Sequence, residues 1–356
     1  MNHTSEKPLV VQVIRQEGRE FADKLARKGL YVKSDPEAVV ELFDIYQANE
    51  WMAMETEHET PQMLFGNFWL EGELCILFAD TNMGKSLLAV QLADSITRGE
   101  RIAPFELGAE PSAVLYIDFE LTGKQFEQRY TDGQNRYQFA SWFYRGEYNQ
   151  FNRATSHYNK QFDKYVIQAL TRGIKRTDAR VLIIDNITCL RNGTESAGAA
   201  LLLMKELKKL KTRHGLSILV LAHTPKRNLR LPLSRNDLQG SKMLINFCDS
   251  AFAMGESHAT PGLRYLKQIK QRSTAETYGA DHICLAQLER HNGFLKFVFT
   301  GNDCEKNHLR DTSRQERERM RQDAKKLSDE GLSQRQVAER LGLSVGSVNR
   351  MLNNRV

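Results

Sequence analysis

From residue 71 onward, short apolar runs alternate with longer segments in which apolar positions recur every three or four residues. The runs at 74–78, 114–119, 181–185 and 218–222 are short and continuous, the pattern of strands buried on both faces. The segments 85–97 and 199–213 between them read as helices. In the second, Leu203, Leu207 and Leu210 form one stripe, while Lys205, Lys208 and Lys209 face outward. Apolar strands separated by helices predict an α/β domain over 61–302, a mostly parallel sheet flanked by helices. After Gly240 the rhythm tightens to "SAFAMG", "LRYLKQIKQ", "HICLAQLER" and "LKFVFTG", which read as an antiparallel extension of that sheet. Upstream, "DPEAVVELFDIYQANEWMAM" is amphipathic and Asp35-Pro36 is a helix start, so 1–60 reads as a helical segment.

The C-terminal end has a different pattern. A charged stretch containing "DTSRQERERMRQDAKK" predicts a linker over 303–324, followed by a small all-α module over 325–356. In "GLSQRQVAERLGLSVGSVNRMLNN", Ser333 caps a helix over 334–341, Gly342 makes a turn, and Ser344 caps a second helix over 345–352. Val337, Leu341, Leu343 and Leu352 supply a miniature core.

The 356 residues are 41% hydrophobic, enough for one large domain and an appendage. Of the net charge of +6, the residues from Glu305 to the end carry +4, from twelve Lys/Arg against eight Asp/Glu. A basic tail suits an acidic partner, nucleic acid first, although a solvated face has the same composition. The five cysteines are scattered without a CxxC pair, a usage that fits a reducing cytosol. The first twenty residues lack a signal-peptide core and no apolar run reaches bilayer length, so the expected location is cytoplasmic, with no membrane partner.

Candidate chemistry centres on "LCILFADTNMGKSLLAVQLA". A strand, a loop and a helix surround Gly84-Lys85-Ser86 with the spacing of a phosphate-binding loop, except that Ala79 stands where the first glycine is usual. Backbone amides from Thr81 through Leu87, with Asn82, Met83 and Gly84 between, are placed to cradle phosphate at a helix N-terminus. Lys85 can reach the β- and γ-phosphates of ATP and Ser86 can ligate Mg²⁺. Asn82 tolerates left-handed geometry, and Asp80 must point away from the anion. "ARVLIIDN" ends in Asp185, a second Mg²⁺ candidate. "VLYIDFEL" ends in Asp118 and Glu120; either carboxylate can orient an attacking water, or Glu120 is only an edge-exposed glutamate. His223 ends the strand in "VLVLAHTPKR", where imidazole can sense the γ-phosphate or simply serve the core.

In order, "ADTNMGKS", "YIDFE", "LIIDN", "LAHT", "LQGS" and "KQIKQR" resemble the RecA-like P-loop ATPase core, and within it the hexameric replicative helicases of the RepA plasmid type, over about residues 65–300. The resemblance implies that Glu120 is the catalytic base and His223 the phosphate sensor. It also implies that Lys270 and Arg272 reach a neighbouring subunit's ATP, with Lys267 as a competitor and a solvated charged face as the alternative. In such rings the loop "TPKRNLRLPLSRND", with Lys226, Arg227, Arg230 and Arg235, lines a central channel around single-stranded DNA; alternatively it is a mobile surface loop. Ala338, Gly342 and Val348 have the spacing of the DNA-binding helix-turn-helix, which the C-terminal unit resembles. Its second helix then presents Ser344, Gly346, Ser347, Asn349 and Arg350 to duplex DNA. The same unit also serves as a structural or protein-binding module. The expected function is a homo-hexameric DNA-dependent ATPase, a helicase replicating a plasmid or mobile element, with a separate primase as natural partner. An ATP-switched DNA-binding regulator and a replication or mobilisation scaffold without unwinding are the alternatives.

Overall fold

The computed structural model describes residues 45–56, 60–148, 162–187, 197–238, 242–310 and 314–353. The chain divides into two units, Met1–Thr60 and Pro61–Val356. In the first, helix Ala48–Glu55 begins after Gln47, whose amide donates to Glu50 Oε2 at 3.0 Å. The rest of the expected helical segment, 1–44 and 57–59, lies outside the described residues.

The second unit is built on a nine-stranded sheet. In chain order its elements are β1 (Leu74–Ala79), α1 (Lys85–Arg98), β2 (Val114–Asp118), β3 (Phe143–Glu147), α2 (Phe162–Thr177), β4 (Val181–Asp185), α3 (Ala197–His214), β5 (Ser217–His223), β6 (Ser250–Glu256), β7 (Arg264–Lys270), β8 (Ile283–His291) and β9 (Phe294–Asp303). Across the sheet the order is β9-β8-β7-β6-β1-β5-β4-β2-β3. Strands β1 to β6 run parallel, and β7, β8 and β9 continue antiparallel. The predicted fold class is therefore the observed one.

Strand β1 shows why the middle of the sheet reads as unbroken apolar sequence. Successive side chains leave opposite faces, so Cys75, Leu77 and Ala79 enter one core, with α1, while Leu74, Ile76 and Phe78 enter the other, with α2 and α3. Leu203, Leu207 and Leu210 of α3 are buried in that second core, as their stripe predicts.

Two strands differ from the sequence expectation. "SAFAMG" is the last parallel strand, β6, paired with β1 from Ser250↔Cys75 to Met254↔Ala79; the antiparallel extension starts only at β7. Strand order decides this, and an apolar run has no direction written in it. Strand β3 was not anticipated, because "FYRGE" is half-exposed at the sheet edge and carries two charges. The β8–β9 hairpin curls over α1. There the Gln91 side chain donates to Phe297 O at 2.9 Å and accepts from Phe297 N at 2.8 Å.

The stretch expected as a linker over 303–324 is largely ordered structure. Asp303 closes β9, Glu305 is 1% exposed, and helix α4 (Arg314–Asp329) begins within it. Charge alone suggested a linker, but Ala324 is fully buried in a small core with Val337, Ala338 and Val348. Helices α5 (Gln334–Leu341) and α6 (Val345–Asn353) complete a three-helix module. Ser333 accepts the Gln336 amide as N-cap, and Gly342 turns the chain at φ 64°, a left-handed conformation that glycine adopts without cost. Among the described residues, no helix is long and apolar enough to cross a membrane.

Candidate functional site

Parallel strands align their C-terminal ends, so one sheet edge gathers the residues that follow them. Ala79 lies opposite His223, and Asp118 opposite Asp185. The loop after β1 leads into α1, whose N-terminal amides face that edge. Ala79 is the last residue of β1 and fully buried. The left-handed positions fall at Asn82, φ 63°, and Gly84, φ 100°. Glycine is thus dispensable at 79. At Gly84 it is doubly required, because a Cβ there would meet Phe297 at 2.6 Å.

Asp80 is exposed, and its Oδ1 accepts the Thr81 amide at 2.8 Å, so the acid turns back on its own loop. Met83 packs against the core, and Leu87 is buried. Lys85, 6% exposed, donates through Nζ to Ala79 O at 3.1 Å and Asp80 O at 2.9 Å. Burial pushes its ammonium below the usual lysine range, opposed by the charges of Asp185, Glu120 and Asp80.

Ser86 and Asp185, proposed from sequence to share a metal, are neighbours at this edge, and the Ser86 hydroxyl favours the charged form of the Asp185 carboxyl. Tyr116 donates to Asp185 Oδ2 at 2.5 Å. Burial raises the Asp185 carboxyl to about 6, partly offset by the neighbouring hydroxyls of Ser86 and Tyr116. One hydroxyl and one carboxylate beside a phosphate loop fit Mg²⁺, a hard cation that takes oxygen ligands and keeps some from substrate phosphates.

The fourth part is a relay. Lys85 Nζ lies 3.2 Å from His223 Nδ1, and His223 Nε2 lies 3.3 Å from Glu120 Oε1. Asn186 Nδ2 also donates to Glu120 Oε1. An ammonium can only donate, so Nδ1 accepts and the imidazole proton sits on Nε2; Asn186 Nδ2 also lies 3.0 Å from Nε2, but of the two neighbours only the Glu120 carboxylate can accept that proton. That hydrogen bond is the main reason the Glu120 carboxyl is held below its usual range. Glu120 is still 39% exposed at its side chain, open to a water molecule.

The two carboxylates that sequence left open are separated by their partners. Asp118 is 1% exposed and fully committed: Oδ1 accepts the amides of Glu120 at 3.0 Å and Leu121 at 2.8 Å, and Oδ2 accepts from Arg145 Nε at 3.0 Å and Nη2 at 2.9 Å. Asn186 and Arg145 were both missed. Asn186 follows Asp185 directly in "LIIDN" and could have been found there. Arg145 lies 27 residues from Asp118 with no motif around it.

The remaining candidates are not at this edge. Lys270 pairs in register with Ala251, at the opposite end of β6, so Lys270 and Arg272 lie toward the other edge of the sheet. Lys270 Nζ donates to Ile245 O and Cys248 O, both at 2.6 Å, at the end of helix Lys242–Phe247. Arg272 donates to Asn246 O at 3.2 Å, lies 3.6 Å from Asp249, and is 51% exposed at its side chain. Lys267 is out of contention. It is buried against Glu305 and donates to Leu233 O at 2.7 Å.

The basic loop is pinned in its described part. Leu233 is buried, and its amide donates to Glu305 Oε1 at 2.6 Å. Lys226 and Arg235 are exposed. Arg227 instead turns inward, donating to Leu231 O and lying 3.7 Å from Asp237, while Arg230 points at Met320 of α4, 3.9 Å from its sulfur. Arg227 is thus held by internal acceptors, Arg230 has only a weak contact with α4, and Arg235 donates through Nε to Ile269 O at 3.2 Å while remaining exposed. On α6, Ser344 Oγ accepts the Ser347 amide at 3.2 Å and lies 2.8 Å from Ser347 Oγ, so both hydroxyls serve the helix cap. Gly346, Asn349 and Arg350 are exposed.

A homeodomain-like domain model matches residues 314–354, the three-helix module. No curated protein matches the chain. Among solved structures it is similar to a KaiC-like protein from the hyperthermophilic archaeon Pyrococcus horikoshii OT3, at 13% identity and a TM-score of 0.42, over 65% of this chain and 91% of that one. The AAA domain model matches residues 43–228, more than half of the 356 residues and a span that holds Lys85, Glu120, Asp185 and His223. By that match this chain belongs to the AAA domain family.

Proposed function

We propose that the protein is an ATP-hydrolysing DNA-binding motor, a homo-hexameric helicase serving replication of a plasmid or mobile element. One observation carries the hydrolytic part: Glu120 is open to solvent, oriented by His223 and Asn186, on the same sheet edge as Lys85 and the Ser86–Asp185 pair. Lys85 holds the β- and γ-phosphates. Ser86 and Asp185 would hold Mg²⁺, which when bound would supply charge neutralisation on those phosphates. Glu120 orients a water toward the γ-phosphorus and takes its proton; the bond from that water to phosphorus forms as the bond to the bridging oxygen breaks, releasing ADP. The three-helix module provides the DNA-associated part.

A second reading has its own support. With Arg227 turned onto Leu231 O and Asp237, the loop offers fewer cations to a DNA strand than its composition suggests. That favours a regulator whose ATP site switches DNA binding without unwinding. Measuring ATP hydrolysis with and without DNA, alongside strand displacement on a forked duplex, separates them. DNA-stimulated hydrolysis with displacement supports the motor. ATP-dependent changes in DNA affinity without displacement support the switch.

Truncation before about residue 312 tests the C-terminal module. The shortened chain is expected to bind duplex DNA more weakly while its basal ATP hydrolysis persists, since every residue assigned to hydrolysis, Arg272 included, lies before the cut. In the full chain, Arg350→Ala is expected to relax site preference if Arg350 reads a base edge, or to weaken all sequences equally if it contacts phosphate. Binding assays on specific and random duplexes read the difference. Unchanged duplex binding by the truncated chain would remove the case for this module as a DNA reader.

A further inference from the structure

Glu120 has no strand to hold it. Strand β2 ends at Asp118, and the chain bends immediately, so the position of the glutamate depends on what fastens residues 118–121. Three ties do so. The Phe119 amide donates to Asp185 O at 2.8 Å, anchoring the bend to β4. The Asp118 carboxylate turns forward and collects the next two amides, those of Glu120 and Leu121. The third comes from β3, where Arg145 places Nε and Nη2 on Asp118 Oδ2 and Nη2 also on Leu121 O.

We propose that Arg145 is a positioning residue for hydrolysis: through Asp118 it sets the bend that presents Glu120 to the attacking water. The pair is suited to this by its rigidity. The Asp118 side chain is fully buried and that of Arg145 is 16% exposed. The guanidinium also lies 4.8 Å from the centre of the Phe126 ring and 3.2 Å from Glu147 Oε2, so it is held on its edges and on a face. A fork of two nitrogens on one carboxylate oxygen fixes orientation as well as charge, which a lysine ammonium cannot reproduce. Arg145 touches neither the phosphate loop nor the Ser86–Asp185 pair, so its influence runs through Glu120 rather than through nucleotide binding. This inference rests on the reading of Glu120 as the water-activating group.

The test compares Arg145→Lys, Asp118→Asn and Glu120→Gln, alone and in pairs, in the full chain. Arg145→Lys keeps the buried charge while removing the fork, and Asp118→Asn keeps the amide-accepting oxygen while weakening the pair. Each is expected to lower kcat for ATP hydrolysis by about 10–100-fold, the usual consequence of misplacing a reacting group by an ångström. ADP affinity is expected to stay within about twofold of wild type, which also reports that the chain has folded. The decisive measurement is the double variant Glu120→Gln with Arg145→Lys. If Arg145 acts through Glu120, adding its substitution to Glu120→Gln lowers kcat no further. An additive loss in the double variant, or a wild-type kcat in Arg145→Lys and Asp118→Asn, overturns the proposal. Failure of the underlying reading looks different: Glu120→Gln itself would then hydrolyse ATP at the wild-type rate.

Discussion

Arg272→Ala is expected to bind ATP normally and to lose hydrolysis by roughly 10³-fold or more, the size of an arginine-finger effect. The geometry behind this is the separation between Arg272 and the phosphate loop of its own chain. The loop follows the C-terminal end of β1, where Met254 lies opposite Ala79, whereas Lys270, just before Arg272, pairs with Ala251 toward the other end. A ring assembled head to tail joins two different surfaces of the subunit, so a finger must sit away from the loop it does not serve. Sequence offered three cations for this task. Lys267 is buried on Glu305, and Lys270 spends its ammonium on helix-end carbonyls, with burial lowering its pKa. Arg272 is half-exposed, and it holds Asp249 only at 3.6 Å. Strand β7 ends at Lys270, so alternation along a strand does not align Arg272 with Lys270; their shared acceptor, Asn246 O, does. Mixing Arg272→Ala with Lys85→Ala subunits should restore part of the activity, because some interfaces then pair an intact loop with an intact finger. No recovery despite demonstrated subunit exchange, or full hydrolysis by a monomer, would give the switch reading precedence.

Lys85→Ala is expected to reduce ATP hydrolysis by about 10²–10³-fold, the cost of removing one preorganised donor to developing charge, with nucleotide affinity falling as well. Two interactions are lost together. The phosphates lose a cation, and His223 loses the donor that holds its proton on Nε2. Glu120→Gln gives the contrasting profile. Its amide oxygen still accepts from His223 and Asn186, so the site keeps its shape and ATP still binds, but the group can no longer take a proton. Hydrolysis should slow while binding persists. Equilibrium binding of ATP with single-turnover hydrolysis distinguishes the two variants. Wild-type turnover by Glu120→Gln would move water activation elsewhere. Asp118 is a poor replacement, because both its oxygens are occupied by amides and a guanidinium.

Local signals carried much of the architecture. The phosphate loop is legible because strand, loop and helix are contiguous, and Asn82 takes the left-handed geometry its side chain tolerates. The helices after Ser333 and Ser344 are legible because caps and the Gly342 turn act within a few residues. Continuous apolar runs revealed β1, β2, β4 and β5 because both faces of each are buried. Only the tertiary structure decided which charged groups are available for chemistry. Asp118 and Glu120 stand two residues apart in sequence, but Arg145 from β3 takes the first and leaves the second open. Lys267 and Arg272 lie five apart, but Glu305, 38 residues beyond Lys267, removes that lysine from the choice. Gly84 owes its second constraint to Phe297, on a hairpin far along the chain. The reason is physical: local propensity determines where an element forms, whereas a side chain's task depends on which distant partner satisfies it, and folding alone makes that choice.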